Sequence, residues 1–232
     1  MFVVIFEVQP RKDRFDDYLE IAKSLKPHIE TIDGFIDNER FASKRKEGRI
    51  LSLSTWRDEK AVIRWRTLAI HHRAQEKGRL ELFEDYHLRV SEIIADTEPP
   101  KGHALREQRL DQTEVGAAKA ITISELPAKD GTSASADLAA DLGLPQAETQ
   151  GLLDRELFES IYNPGKLVLL AAWKDAAAAE RWKPREIPGG ATRHRRVRVI
   201  RDYGMSERRE APQYYPPVKS DSARDAGAPA ED

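Results

Sequence analysis

The chain has 232 residues, 38 Lys and Arg against 40 Asp and Glu for a net charge of -2, and no cysteine. That balance argues against a nucleic-acid or polyanion binder on global charge, and the lack of cysteine removes disulfides, thiolate zinc sites and cysteine nucleophiles. No run approaches the ~20 apolar residues that span a bilayer, and the apolar start MFVVIFEV has no basic n-region, so a soluble, cytoplasmic protein is expected, with no membrane or nucleic-acid partner.

Phe2 to Val8 is rich in Val, Ile and Phe and predicts a buried strand closed by Pro10. Phe15, Leu19, Ala22, Leu25 and Ile29 recur at steps of three and four, the mark of an amphipathic helix. Pro27 is expected to end or kink it. After the Asp33-Gly34 turn, Phe35 to Ser43 and Arg49 to Trp56 predict two strands around a polar hairpin. Asp58 caps a second helix expected to run unbroken to about Gly78, and Tyr86 to Ile94 supplies a fourth strand.

The stretch Gly34 to Arg66 recurs, without a gap, as Gly151 to Lys183, an offset of 117. Twelve of the 33 aligned pairs are identical, among them Gly34/Gly151, Trp56/Trp173 and Trp65/Trp182; unrelated segments would share about two. The second copy follows the same order, with strands at Ala120 to Leu126 and His194 to Tyr203 and a weaker first helix near Ala134 to Leu144. Its second helix, capped by Asp175, must be shorter, because Pro184 and Pro188-Gly189-Gly190 follow Trp182. The domains are therefore 1–95 and 119–205, joined by a charged linker at 96–118 and followed by a tail at 206–232 expected to be disordered. In that tail Tyr214-Tyr215-Pro216-Pro217 is the one stretch suited to docking.

Strand, helix, strand, strand, helix, strand is the ferredoxin-like βαββαβ order, an α+β fold. Leu51, Leu53 and Thr55 lie on one face of their strand, with Ile50, Ser52, Ser54 and Trp56 on the other. Both faces carry apolar groups, so a sheet covered by helices on one side needs a partner on the other. The second copy can supply it within the chain as a pseudo-dimer, or a second molecule can as a homodimer; both stay open.

Ile32-Asp33-Gly34-Phe35 before strand two, Phe41, Trp56 and Trp65 give residues 2–95 a resemblance to the antibiotic biosynthesis monooxygenase superfamily, and the repeat extends it to the second half. The resemblance implies dimeric α/β barrels, here as a tandem duplication. It also implies a range of activities: cofactor-free oxygenases of quinols, heme degraders, and members with no known reaction.

On an unbroken second helix Ala61, Trp65, Leu68, His72 and Gln75 would share one face. Trp65 could then stack a flat aromatic or polyketide-like substrate while His72 acts as base, imidazole being within reach of working pH. Asn38, Arg40 and Glu7 are the candidates to orient the substrate. The other reading of the same residues makes Trp65 core packing, His72 a rim residue and Glu7 a paired carboxylate. His71 points about 100° from His72 and is expected on the solvated side, and His71 with His72 does not make a metal motif. Glu39, repeated as Glu156, is expected to be structural, and His87 has a candidate echo in His194. The heme-degrading branch keeps an asparagine on strand one and a histidine on helix two where this chain aligns Glu7 and Gln75, which disfavours heme. No cofactor is the expectation. The residues leave two functions open: a cofactor-free monooxygenase of a small aromatic molecule, or a non-catalytic binding or assembly module on the same barrel.

Overall fold

A computed structural model describes residues 1–128, 137–146, 148–187 and 192–212. The first half runs β1 (Phe2–Pro10), α1 (Phe15–Glu30), β2 (Phe35–Ser43), β3 (Ile50–Trp56), α2 (Glu59–Thr67), α3 (Ala69–Lys77) and β4 (Phe83–Asp96). The second runs β5 (Ala120–Leu126), α4 (Leu138–Asp141), β6 (Leu152–Ser160), β7 (Leu167–Trp173), α5 (Ala176–Arg181) and β8 (Arg193–Gly204). The order β1-β3-β2-β6-β7-β5-β8-β4 closes on itself as one antiparallel barrel. The two halves thus pair within the chain, through β2 with β6 and β4 with β8. Closure removes the sheet edges that each half would otherwise expose.

Alternation along the strands sorts the side chains into two layers. Val3, Ile5, Phe41, Leu51, Leu53 and Ile93 point inward and meet Ile121, Ile123, Phe158, Val168, Leu170, Val197 and Val199 from the other half. The barrel interior is therefore packed. Outward-facing residues meet the helices: Phe2 and Trp56 pack with Ile29, Ala61 and Val62, and Val8 and Ile50 with Tyr18, Leu82 and Phe83.

Pro27 lies inside α1, which continues to Glu30, so the expected stop is not there. The caps are where the sequence puts them: Asp58 accepts from the Ala61 N–H at 2.8 Å, and Asp175 from that of Ala178 at 2.6 Å. Gly34 and Gly151 have φ of +92° and +87°, and a Cβ on either would lie 2.7 Å from the Cβ of Ala61 or Ala178. Backbone conformation and helix contact together demand glycine there, which accounts for the repeated residue.

The expected unbroken helix from Asp58 to Gly78 is two helices. Leu68 sits between them with φ -62° and ψ 126°, extended and not helical. No glycine or proline marks the break. Thr67 donates its hydroxyl back to the Ile63 carbonyl at 2.9 Å, a bond that tends to bend helices. Of the weak first helix expected near Ala134 to Leu144, α4 covers Leu138–Asp141. Residues 129–136, Pro188-Gly189-Gly190 and the tail from 213, with Tyr214-Tyr215-Pro216-Pro217, lie outside the described residues. Among the described residues no helix is long and apolar enough to cross a membrane.

Candidate functional site

A cavity of about 190 Å³ lies between the outer face of the first-half strands and α1, α2 and α3. Its floor follows from register. Val4 pairs with Ser54 and Val90, Phe6 with Ser52 and Leu88, and Ser54 and Ser52 pair in turn with Asn38 and Arg40. All of these side chains face the helices and line the cavity. The helices add Tyr18, Ile21, Leu25 and Ile29 from α1, Val62 and Trp65 from α2, and His71 and Gln75 from α3. The second half contributes as well, since Arg201 pairs with Val90 across β8 and β4, which brings Arg201 and Tyr203 to the same wall.

Among the described residues, the equivalent place in the second half is lined by apolar side chains. By the repeat offset Arg40 and Ser52 become Leu157 and Leu169, and Ser54 becomes Ala171. Those residues pack with Leu126, Leu138, Leu142 and Trp173 into a filled cluster. Its Trp182 lies against Trp173, with ring centroids 5.9 Å apart. Polar residues thus line the first-half cavity where the described residues of the second half place apolar ones.

Trp65, Asn38 and Arg40 stand on the cavity wall; His72 does not. The break at Leu68 resets the helical phase, so the single-face relation of Trp65 to His72 fails and His72 is exposed. His71, expected on the solvated side, takes the place instead. Its ring stacks on the Trp65 indole with centroids 4.0 Å apart and planes 15° apart. Its Nδ1 lies 2.9 Å from the Trp65 carbonyl oxygen, which also accepts from the Leu68 N–H at 3.2 Å. A carbonyl can only accept, so Nδ1 carries the proton and Nε2 is left as an acceptor. Burial lowers the His71 pKa to about 4, so the ring is neutral at neutral pH. The gain of His71 costs Trp65 one stacking face: the indole props the imidazole on a side expected for a flat substrate.

Glu7 is not a cavity residue. It points into the barrel with Val3 and Ile5, is 5% exposed, and pairs with Arg49 at 2.5 Å and with buried Arg89. Glu125 makes the matching pairs in the second half, with Lys166 at 3.3 Å and with Arg195. The even step along β1 that puts Val4 and Phe6 on the cavity floor forces Glu7 to the opposite face. His194 is not an echo of His87 either: the registers align His194 with Leu88, and its Nδ1 lies 2.9 Å from the Ser124 hydroxyl. His87 lies 2.5 Å from Asp202.

Among the described residues no carboxylate lies within ion-pair distance of Arg40, and its buried Nε, like those of Arg89, Arg195 and Arg198, has no hydrogen-bond partner. Its one side-chain partner there is the Tyr18 phenol, whose pKa burial raises and Arg40 partly lowers. Asn38 donates to the Ser52 hydroxyl at 3.0 Å and the Leu53 carbonyl at 3.1 Å. Burial also lifts the Tyr203 pKa to about 12, which keeps that hydroxyl protonated. Among the described residues no group of three or more His, Asp or Glu side chains is arranged to hold a metal, and His71 is the one histidine lining this cavity.

Residues 1–77, which supply β1, β2 and β3 of the cavity's floor and all three of its helices, match the antibiotic biosynthesis monooxygenase family model. A protein of Pyricularia oryzae (strain 70-15) named jasmonate monooxygenase ABM is 46% identical over 223 residues, spanning 94% of this chain and 100% of that one. The chain belongs to the antibiotic biosynthesis monooxygenase family. Two solved aldoxime dehydratases share the fold across both halves. One has a TM-score of 0.54 at 14% identity, covering 86% of this chain and 81% of its own. The other, the butyraldoxime complex, has 0.53 at 12%, covering 86% and 79%. Their span, like that of the Pyricularia relative, takes in the second half, so the tandem barrel and not the first domain alone is the unit of comparison.

His71, Tyr18, Ser52, Arg201 and Tyr203 were not singled out from sequence. For Ser52 a signal existed, a serine where the repeat has leucine. For Arg201 and Tyr203 none did, because only barrel closure brings β8 beside β4.

Proposed function

We propose that this chain is a monooxygenase of a small, largely apolar organic molecule, bound in the cavity between the first-half sheet and α1 to α3. The observation that carries the reading is the contrast between the halves: the open, polar-dotted volume over Ser52 and Ser54 against the Leu157–Leu169 packing at the same place in the second half. Family membership supports the class of reaction. The 46% identical relative, named for jasmonate, makes an oxygenated carbocyclic acid the first substrate to try.

In this reading Trp65 and His71 act as one unit. The indole and the Trp65 carbonyl hold the imidazole in a single tautomer, with Nε2 toward the substrate. A pKa near 4 makes His71 a weaker base than one poised at working pH, so its first role is to accept a hydrogen bond and orient a substrate hydroxyl or acidic C–H. Reaction without a resident cofactor balances when the substrate supplies all the electrons. A CH₂ that loses a proton, takes up O₂ as a hydroperoxide and then loses water becomes C=O, with one oxygen retained and the other released as water. A substrate that is only hydroxylated needs two further electrons from a separate reductant.

The test is O₂ uptake with jasmonic acid, a panel of quinols and heme, on the wild type and on His71→Phe and Ser52→Leu. Uptake with one class, lost in Ser52→Leu and at least ~10-fold lower in His71→Phe, supports the reading. Stoichiometric uptake that is equal in all three proteins removes the cavity as the site. A Soret shift on heme titration that disappears in His71→Phe overturns the cofactor-free version in favour of a heme reaction.

A further inference from the structure

We propose that Arg40 is the anchor for a carboxylate on the substrate, so that the cavity selects small monocarboxylic acids with an apolar body. This rests on the cavity being the binding site proposed above, and it names the substrate class.

A guanidinium set among apolar groups is costly unless an anion or a full set of acceptors satisfies it. Four arginines of this barrel keep the rule with a carboxylate: Arg89 with Glu7, Arg193 with Asp96 at 2.7 Å, Arg195 with Glu125, and Arg198 with Glu92 at 2.9 Å. Arg40 faces the cavity with the neutral Tyr18 phenol as its side-chain partner; its Nε–H is unsatisfied like those of Arg89, Arg195 and Arg198, but unlike them it has no carboxylate within ion-pair distance among the described residues. Nε and an adjacent Nη form the side-on edge that takes both oxygens of a carboxylate in two parallel hydrogen bonds. Its position is fixed from both sides. The Arg40 backbone is pinned to β3 opposite Ser52, and its carbonyl accepts from the Ile161 N–H of the second half at 3.0 Å. The second copy carries Leu157 at this position, packed against an apolar cluster, so the charge belongs to the half that has the cavity. The wall also carries Lys26, which lies 3.9 Å from Glu30, Arg201, which has Asp111 in its field, and Arg66.

The experiment is calorimetric titration of the full chain with jasmonic acid and 1-naphthylacetic acid, each against its primary amide, for wild type, Arg40→Gln, Arg40→Lys and Arg201→Gln. The wild type is expected to bind at least one acid ~10-fold or more tighter than its amide, the scale of charge-assisted hydrogen bonds. Arg40→Gln is expected to lose that preference while keeping the amide affinity, Arg40→Lys to retain part of it, and Arg201→Gln to retain all of it. The wild-type acid-to-amide comparison stands even where a variant fails to fold. Equal binding of acid and amide by the wild type overturns the anchor, as does a preference that survives Arg40→Gln or vanishes in Arg201→Gln. Tight acid binding that depends on Arg40 but brings no O₂ uptake keeps the anchor and ends the monooxygenase reading. Uptake with a quinol but no acid binding ends the anchor and keeps the enzyme.

Discussion

The imidazole of His71 lies flat on the indole of Trp65, 4.0 Å away, and its Nδ1 is tied to the carbonyl oxygen of that same tryptophan. Trp65 therefore holds both the face and the edge of the ring, and the helix break at Leu68 makes this geometry possible. An exposed histidine would have an unperturbed pKa near 6.5; here burial takes it to about 4.

That shift predicts a stability signature. With the folded pKa below the unfolded one, the unfolded chain binds the extra proton first, so stability falls as pH drops from about 6.5 to about 4 and the loss levels off below that. The shift corresponds to roughly 3 kcal/mol. Urea melts of wild type and His71→Phe across this range should diverge, with the wild type losing more on acidification. Parallel curves would mean that His71 is not held neutral.

Ser52→Leu is expected to give the first half the packing of the second, where Leu169 occupies the matching position. Buried apolar area should leave the melting temperature equal or higher, while ligand affinity drops ~10-fold or more as the leucine fills the cavity. Thermal melts and titration check the two halves of this expectation. A variant that binds as well as wild type would place the ligand elsewhere.

Glu39 and Glu156, 117 residues apart, make reciprocal bonds across the β2–β6 seam. Glu39 accepts from the Ser160 hydroxyl and Lys166, each at 2.5 Å, and Glu156 accepts from Ser43 at 2.5 Å with Arg49 at 3.7 Å. Each half thus grips the other's hairpin through residues that the repeat itself supplies. Either Gln substitution should cost ~1–3 kcal/mol by denaturant unfolding. For Glu39, burial works to raise the pKa, but the bonds from Lys166, Ser160 and Asn163 outweigh it. Its contribution is therefore full above the usual carboxylate value and is lost as pH falls through the lowered one. Glu39→Gln should lack that acid-side loss.

Glu7→Gln should destabilise the barrel by ~3–5 kcal/mol, because buried Arg89 loses its countercharge. Oxygen uptake and ligand affinity per folded molecule should not change, since Glu7 faces the barrel interior and the proposed binding cavity lies on the other side of β1. A loss of affinity in protein shown to be folded by circular dichroism would return Glu7 to the site.

The repeat, the strand and helix order, the two-sided apolar pattern of β3 and the Asp58 and Asp175 caps are all local or periodic. They suffice to define two ferredoxin-like units that need each other, and the family with them. The choice between His71 and His72 was not local: it turned on a break at Leu68 that no glycine or proline announces, stabilised by a Thr67 hydroxyl and a ring–carbonyl bond. Whether the halves pair within the chain, that Glu7 pairs inside the barrel, and that Arg201 and Tyr203 reach the first-half cavity depend on contacts between strands far apart in sequence. A linear pattern records which face a side chain takes along its own strand. It carries no record of which distant strand lies beside it, and in this barrel that neighbour decides which charges are paired and which, like Arg40, are left facing the cavity.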